Sequence, residues 1–235
     1  MKILAIDSSA ITASVALTEN GKILGEYFLN TGLTHSETLM PMIASVFHCA
    51  KTNPSQIDLF AVSSGPGSFT GIRIGIASIK GLAMPFQTPC AGVSTLETIA
   101  YNLAHLDCLI CAAMDARCGQ VYNALFRAEK GTLHRLTPDR AIAVPELAAE
   151  CEKIGGPLYL AGDGAMLCAK SESFQNCGAI LSPEPLRYQR AWGVAKAAET
   201  AVRENRTVSP AALMPFYLRP AQAERSLKKR LGGTK

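Results

Sequence analysis

The chain has 235 residues, a net charge of +4, 48% hydrophobic residues and 18% charged residues. This composition is that of a folded globular protein, which excludes a disordered or low-complexity chain, and the length allows one large domain or two lobes. Five positive charges lie in the last eleven residues, so the rest of the chain is nearly neutral and the composition does not indicate a broad basic face for nucleic acid.

The first half of the sequence predicts the order strand, strand, strand, helix, strand, helix. Apolar runs predict strands at 2–8, 12–18 and 22–30, and the Asn20-Gly21 turn makes them an antiparallel meander. Thr34 and Glu37 have the spacing of a capping box, which predicts that a helix begins there. A buried strand at 57–64 and a helix from about 71 to 85 complete this half.

The second half repeats this order without repeating the residues. Its predicted elements are strands at 108–115, 120–127 and 132–136, a helix at 145–154, a strand at 157–161 and a helix after Gly162-Asp163-Gly164. Asp7 and Asp115 each end the first strand of a half. The pattern resembles the actin-like (ASKHA, ribonuclease H-like) α/β plan, in which two β-β-β-α-β-α lobes face a cleft. We therefore predict lobes at 1–105 and 106–220 and a basic tail at 221–235.

The most specific segment is the glycine-rich run at 65–75, Gly-Pro-Gly-Ser-Phe-Thr-Gly-Ile-Arg-Ile-Gly. It lacks the spacing of a P-loop, although its glycines leave backbone amides exposed at a helix start. On the helix beyond it, Gly71, Gly75 and Ser78 form a strip of small residues beside a bulky apolar stripe. Small residues allow close helix packing either within the chain or between subunits, and spacing alone leaves both open.

Six segments together resemble the bacterial TsaB (YeaZ) family over about residues 1–220. They are Ala5-Ile6-Asp7-Ser8-Ser9, Ala13-Ser14-Val15-Ala16-Leu17, His35-Ser36-Glu37, the run at 65–75, Met114-Asp115-Ala116-Arg117 and Pro215-Phe216-Tyr217-Leu218-Arg219. The resemblance implies a non-catalytic subunit that binds and activates the paralogous TsaD threonylcarbamoyltransferase, with TsaE as an ATP-hydrolysing third component. The product implied is N6-threonylcarbamoyladenosine (t6A) at position 37 of tRNAs that read codons beginning with A.

The same resemblance implies that the helices beginning at Thr34 and Gly71 form the subunit contact. That contact would be a heterodimer with TsaD or, without TsaD, a homodimer, and tRNA would be bound only through the complex. The interface residues expected are Thr34, His35, Glu37, Leu39, Phe69, Gly71, Ile72, Arg73, Gly75 and Ser78.

Catalytic relatives carry a metal-binding HxxxH in the helix where this chain has Thr95 and Ile99. Ile99 cannot bind a metal, and neither Asp7 nor Asp115 is followed by the glycines of a phosphate loop, so weak nucleotide contacts by Asp7, Asp115 and Arg117 are the most we expect. We predict no catalytic residue, no metal ligand and no tightly bound cofactor, with ATP, ADP and Mg²⁺ used through the partners. The alternative is an ATP-dependent transferase or kinase that uses Asp7 and Asp115 with Mg²⁺; a metallopeptidase-like hydrolase ranks third.

Eight cysteines are scattered through apolar segments without a secretory leader, which favours reduced cytoplasmic thiols. Cys108 and Cys111 have the spacing of a zinc knuckle, but no second ligand pair follows, so core packing is favoured. The longest apolar stretches fall short of the ~20 residues that span a bilayer, and we expect no membrane association. The basic tail is expected to be a flexible terminus, with weak tRNA contact as the alternative.

Overall fold

The computed structural model describes residues 1–219. Its first sheet contains β1 (Lys2–Asp7), β2 (Ala13–Glu19), β3 (Lys22–Leu29), β4 (Leu59–Gly65) and β5 (Cys90–Ser94), in the spatial order β3-β2-β1-β4-β5. The first three strands are antiparallel, and β4 and β5 run parallel to β1. The helices interspersed with them are α1 (His35–Cys49), α2 (Phe69–Ala83) and α3 (Thr95–Tyr101).

The second sheet contains β6 (Cys108–Asp115), β7 (Gln120–Glu129), β8 (Thr132–Arg135), β9 (Arg140–Ala143), β10 (Leu158–Ala161) and β11 (Ile180–Leu181). Its order is β11-β10-β6-β7-β8, with β9 also paired to β7. The helices of this half are α4 (Val144–Ile154), α5 (Ala165–Ala169), α6 (Glu172–Gln175), α7 (Glu184–Arg187) and α8 (Ala191–Arg203).

Both sheets repeat one topology, an antiparallel meander whose first strand pairs on its other side with a parallel strand. This confirms the predicted two-lobed actin-like α/β fold, and every predicted strand and helix is present within a few residues of its predicted bounds. The six-element plan omits β5, α3, β9, β11 and the helices after α5. The predicted basic tail at 221–235 lies outside the described residues.

Each lobe is covered on its inner face by a helix that the other half of the sequence supplies. Helix α8 is rich in alanine and packs on the first sheet against Ala5, Ala16 and Ala61. Helix α3 packs on the second sheet, and the two helices meet where the backbone of Gly193 lies against the Thr98 carbonyl. The predicted ranges 1–105 and 106–220 therefore each contain a helix that packs on the other sheet.

The outer faces of the two sheets are covered by helices of their own lobes. Helices α1 and α2 pack on the first sheet around Leu39, Ile43 and Ile72, all nearly inaccessible to solvent. Helices α4, α5 and α6 cover the second sheet. None of the helices in the described part of the chain is long and apolar enough to cross a membrane.

Candidate functional site

A cleft of about 540 Å³ opens between the two lobes. The first lobe contributes residues 9–11, which follow β1, and residues 67–70, where α2 begins. The second lobe contributes residues 114–117 at the β6–β7 turn, together with Tyr122 and Asp163. The cleft thus lies where the first strands of both lobes end, as the two-lobed prediction requires.

The glycine-rich loop before α2 is pressed against the end of β1. Ser68 donates its amide to the Ser9 carbonyl at 2.6 Å and accepts the Gly71 amide on its side chain at 3.3 Å, which caps the helix. At Gly67, with a φ of +157°, a side chain would collide with the Ser9 backbone. This close approach directs the start of α2 into the cleft.

Asp7 is fully buried at the end of β1 and does not line the cleft. Its Oδ1 accepts bonds from the Ser9 amide at 2.9 Å and the Ser9 hydroxyl at 2.8 Å, and its Oδ2 accepts one from the Ser63 hydroxyl. Burial raises the pKa of Asp7, although these bonds and nearby His35 act in the opposite direction. The predicted nucleotide contact at Asp7 is therefore corrected, because its carboxylate is enclosed and bonded within the lobe.

Asp115 and Arg117 do line the cleft, as an ion pair. The Arg117 amide donates to Asp115 Oδ1 at 2.7 Å and its guanidinium lies 3.2 Å from Oδ2, while the Arg117 side chain remains 78% exposed. Such an exposed pair adds little stability. The weak nucleotide contacts predicted for these two residues stay a prediction.

Asp163 also lines the cleft, and the sequence patterns predicted no role for it. It sits between Gly162 and Gly164, whose missing side chains let the loop lie against the end of β6 at Ala113 and Asp115. Burial, and secondarily the charge of Asp115, raises the pKa of Asp163 to about 6. The sequence feature that could have identified Asp163 as a cleft residue is an acid flanked by glycines directly after a buried strand.

The position of the HxxxH motif of catalytic relatives is part of the apolar core. Thr95 and Ile99 on α3 are both fully buried, and Ile99 belongs to the cluster beneath the second sheet. Cys108 and Cys111 lie on opposite faces of β6, in two different core clusters, so both thiols cannot bind one ion. Across residues 1–219 no three His, Cys, Asp or Glu side chains are grouped as metal ligands.

The structure divides the predicted partner-interface residues by exposure. Those buried inside the first lobe are Leu39, Gly71, Ile72 and Gly75. Those at the surface or half-buried are Thr34, His35, Glu37, Phe69, Arg73 and Ser78. The capping box at the start of α1 forms, with the Thr34 amide 3.4 Å from the Glu37 carboxylate, and His35 is tied to the Ala10 carbonyl at 2.7 Å.

The two glycines of the small-residue strip serve packing within the chain. A Cβ on Gly75 would lie 2.6 Å from Ser8 Oγ and 3.2 Å from Val62, and one on Gly71 would overlap the Ser8 carbonyl. Ser8 Oγ also donates to the Gly71 carbonyl at 2.9 Å. Gly71 and Gly75 therefore fit α2 onto the ends of β1 and β4, which corrects their predicted contact with a partner.

A different strip of α2 faces outward. We call it the α2 outer strip, and it consists of Arg73, Ile74, Ala77, Ser78 and Gly81. A Cβ on Gly81 would meet no atom within 4 Å, so the strip is open to solvent there. Met84, three residues after Gly81, adds apolar surface and is 47% accessible.

The chain returns to α2 and the cleft at residues 215–219. The Tyr217 ring stacks on Phe69 with centroids 3.9 Å apart and planes within 3°, and Arg73 Nε donates to the Tyr217 hydroxyl at 2.8 Å. Arg219 then donates to the Ala116 carbonyl of the second lobe at 3.1 Å. This segment connects the two lobes beside the cleft mouth.

Comparison with known proteins agrees with this geometry. A family model described as "TsaD: tRNA N6-adenosine threonylcarbamoyltransferase" matches residues 30–225. The tRNA threonylcarbamoyladenosine biosynthesis protein TsaB of Bacillus subtilis is 31% identical over 95% of this chain and 96% of its own length. Its Escherichia coli counterpart is also 31% identical, over 93% and 95% of the two chains. The chain belongs to the TsaB (YeaZ) family.

Solved structures of the TsaB (YeaZ) family have the same two-lobed fold. A crystal structure of a Pseudomonas aeruginosa protein with similarity to peptidase YEAZ superposes with a TM-score of 0.78 at 26% identity, over 93% of this chain and 99% of that one. A second structure, YeaZ from the same organism, gives a TM-score of 0.74 at 25% identity, over 92% and 99% of the two chains.

Proposed function

We propose that this chain is a non-catalytic cytoplasmic subunit of t6A biosynthesis that binds and activates a TsaD threonylcarbamoyltransferase. The modified nucleotide is at position 37 of tRNAs that read codons beginning with A. TsaE is the ATPase of the assembly, and ATP, ADP and Mg²⁺ are used by the partners. The chain forms a homodimer when alone and contacts tRNA only within the complex. Membership of the TsaB (YeaZ) family supports the pathway.

The non-catalytic role is supported by the burial of two positions where catalytic groups are expected, the acid that ends β1 and the position of the HxxxH motif on α3. Asp7 is fully buried and bonded by Ser9 and Ser63, so it has no access to a substrate in the cleft. Thr95 and Ile99 occupy the position of the HxxxH motif, and both lie in the core. A buried carboxylate and an apolar helix face supply neither an activated nucleophile nor a metal-bound water.

The α2 outer strip is the surface that we propose for TsaD. Ala77, Ser78 and Gly81 project little from the helix, which lets a partner helix approach closely. Ile74 and, just after the helix, Met84 provide apolar area, and Arg73 provides a cation. The same surface would carry the homodimer, since a two-fold axis can pair one helix with its copy.

Ala77→Arg tests this interface because Ala77 is exposed and the change leaves the core intact. The matched control is Ala149→Arg, at an exposed position of α4 in the second lobe. We expect Ala77→Arg to abolish co-purification with the TsaD homologue of the same genome and to make the isolated chain monomeric by light scattering. Wild-type behaviour of this variant would refute the interface.

Activity is tested by threonylcarbamoyl transfer to tRNA with TsaD, TsaE, ATP and threonylcarbamoyl-AMP, omitting each protein in turn. An activating subunit predicts transfer that requires this chain and TsaD together, and its loss with Ala77→Arg but not with Ala149→Arg. Transfer by this chain without TsaD would refute the non-catalytic role.

The second candidate is an ATP-dependent transferase, favoured by the open cleft and by Asp115 at its wall. It predicts micromolar ATP affinity for the isolated chain and a turnover that Asp115→Ala abolishes. Calorimetric titration with ATP in the presence of Mg²⁺ discriminates the two candidates, since a non-catalytic subunit predicts no such affinity.

A further inference from the structure

Four of the eight cysteines lie in the core between the second sheet and the helices that cover it. Cys111 on β6, Cys151 on α4 and Cys168 on α5 are buried members of one cluster. Cys177, which follows α6, is half-buried and packs against the same cluster. These thiols come from four separate segments of the chain, so the fold itself brings them together.

Cys151 is the most nucleophilic thiol of this cluster. The Cys111 thiol forms a hydrogen bond with Cys151, which lowers the pKa of Cys151 although burial acts in the opposite direction. The same bond, together with burial, raises the pKa of Cys111. Cys168 and Cys177 lie within range of the charge of Cys151. Since the thiolate is the form that attacks another sulfur, Cys151 is the attacking thiol of the group.

Cys177 connects Cys151 with the surface. Its Sγ donates to the Ala148 carbonyl of α4 at 3.5 Å, and Ala148 and Cys151 are three residues apart on one helix face. Cys177 therefore lies beside Cys151, while it remains partly accessible to solvent. Burial raises the pKa of Cys177, so its oxidation should be slower than that of the exposed Cys49 and Cys118.

We propose that Cys151 and Cys177 form a reversible disulfide when the chain meets a hydroperoxide, with Cys111 as the positioning residue that activates Cys151. The peroxide transfers one oxygen to the Cys177 thiol, which gives a sulfenic acid and an alcohol or water. The Cys151 thiolate then attacks the Cys177 sulfur, the sulfur–sulfur bond forms, and hydroxide leaves and takes up a proton to become water. The two thiols lose two electrons and the peroxide gains them. The inference does not depend on the proposed function.

Mass spectrometry of the oxidised full chain tests this disulfide. The variant that lacks the two exposed thiols is treated with hydrogen peroxide and alkylated under denaturing conditions. Trypsin places Cys151 and Cys177 in separate peptides, residues 141–153 and 171–187, each with a single cysteine. We expect these peptides to be joined by a disulfide that dithiothreitol reduces. Absence of the joined peptides, or a Cys111–Cys151 pairing in their place, would overturn the proposal.

Single substitutions test the two bonded thiols. Cys177→Ser and Cys151→Ala should each remove the joined peptides. In Cys151→Ala the Cys177 sulfenic acid should accumulate and be trapped by dimedone, because no thiolate attacks it. The matched control is Cys90→Ala, which removes a buried thiol of the first lobe and should leave the disulfide yield unchanged. An intramolecular disulfide of the same yield in Cys177→Ser would contradict the assignment.

The role of Cys111 is tested by the pH dependence of the attack by Cys151. Dimedone competes with Cys151 for the Cys177 sulfenic acid, so the ratio of disulfide to adduct measures that attack. Cys111→Ala should lower this ratio by about threefold or more at pH 7 and shift its pH midpoint upward, since Cys151 loses its hydrogen bond. Cys111→Ser keeps a donor and should restore the ratio. The same pH profile in folded Cys111→Ala and the parent chain would overturn the role of Cys111.

Discussion

Two glycines of α2 should respond to the same substitution with opposite signs. At Gly75 a new methyl group lies 2.6 Å from Ser8 Oγ, and moving Ser8 breaks its buried bond to the Gly71 carbonyl. Overpacking costs about 1–3 kcal/mol, the lost hydrogen bond costs about 1 kcal/mol, and the better helix propensity of alanine returns about 1 kcal/mol. Gly75→Ala should therefore destabilise the chain by about 1–3 kcal/mol.

Gly81→Ala is the matched control on the same helix. Its methyl group meets no atom within 4 Å, so only the propensity gain remains and stability should rise by roughly 0.5–1 kcal/mol. Urea unfolding followed by circular dichroism measures both. Equal stabilities for the two variants would refute the packing of α2 against β1 and would restore Gly75 as a candidate partner contact.

Three further predictions concern titration, the aromatic stack and the thiols. The pKa of Asp163 is about 6 in the folded chain and lower in the unfolded chain, so between these values the folded state binds a proton that the unfolded state does not. The stability that protonated Asp163 contributes is therefore lost as the pH rises from about 4 to 6. That loss amounts to at most about 3 kcal/mol, and unfolding of Asp163→Asn in chelator should lack it. Tyr217→Phe keeps the stack on Phe69 but removes the hydrogen bond from Arg73. It should lower the free energy of unfolding in urea by about 1 kcal/mol or less. A larger loss would contradict the interpretation that the stack is the main contact of Tyr217. Thiol labelling with a disulfide reagent at pH 8 should show two fast groups, exposed Cys49 and Cys118, and replacing both by serine should remove that phase. The buried thiols should react slowly, since burial raises the pKa of Cys168 to about 12 and that of Cys90 to about 11.

The fold was predictable wherever a local pattern determines an element by itself. The alternation in β2 and the capping box at Thr34 are short-range signals, and both elements are where the sequence places them. Helix α8 was missed because its buried face is mostly alanine, which gives a weak periodic signal. Its partner is a sheet far away in the sequence, where Ala5, Ala16 and Ala61 leave room for a close helix.

The candidate site was less predictable because exposure depends on which helix face meets the sheet. Helix α2 has small residues on two faces, Gly71 and Gly75 on one and Ala77 and Gly81 on the other. Helical periodicity separates these faces but does not say which one is buried. The Ser8 carbonyl and hydroxyl decide it, since they occupy the space in front of Gly71 and Gly75.

The packing at the end of β1 also determines the surroundings of Asp7. The Ser9 amide and hydroxyl both donate hydrogen bonds to Asp7. The Gly67 backbone packs closely on the Ser9 backbone, and Asp7 is fully buried. The acidic side chains that line the cleft are Asp115 and Asp163, on the opposite wall. Ser9→Gly removes only the hydroxyl bond to Asp7, so we expect the residue 9 amide and Ser63 to keep Asp7 bonded and calorimetric titration to show no gain in ATP affinity.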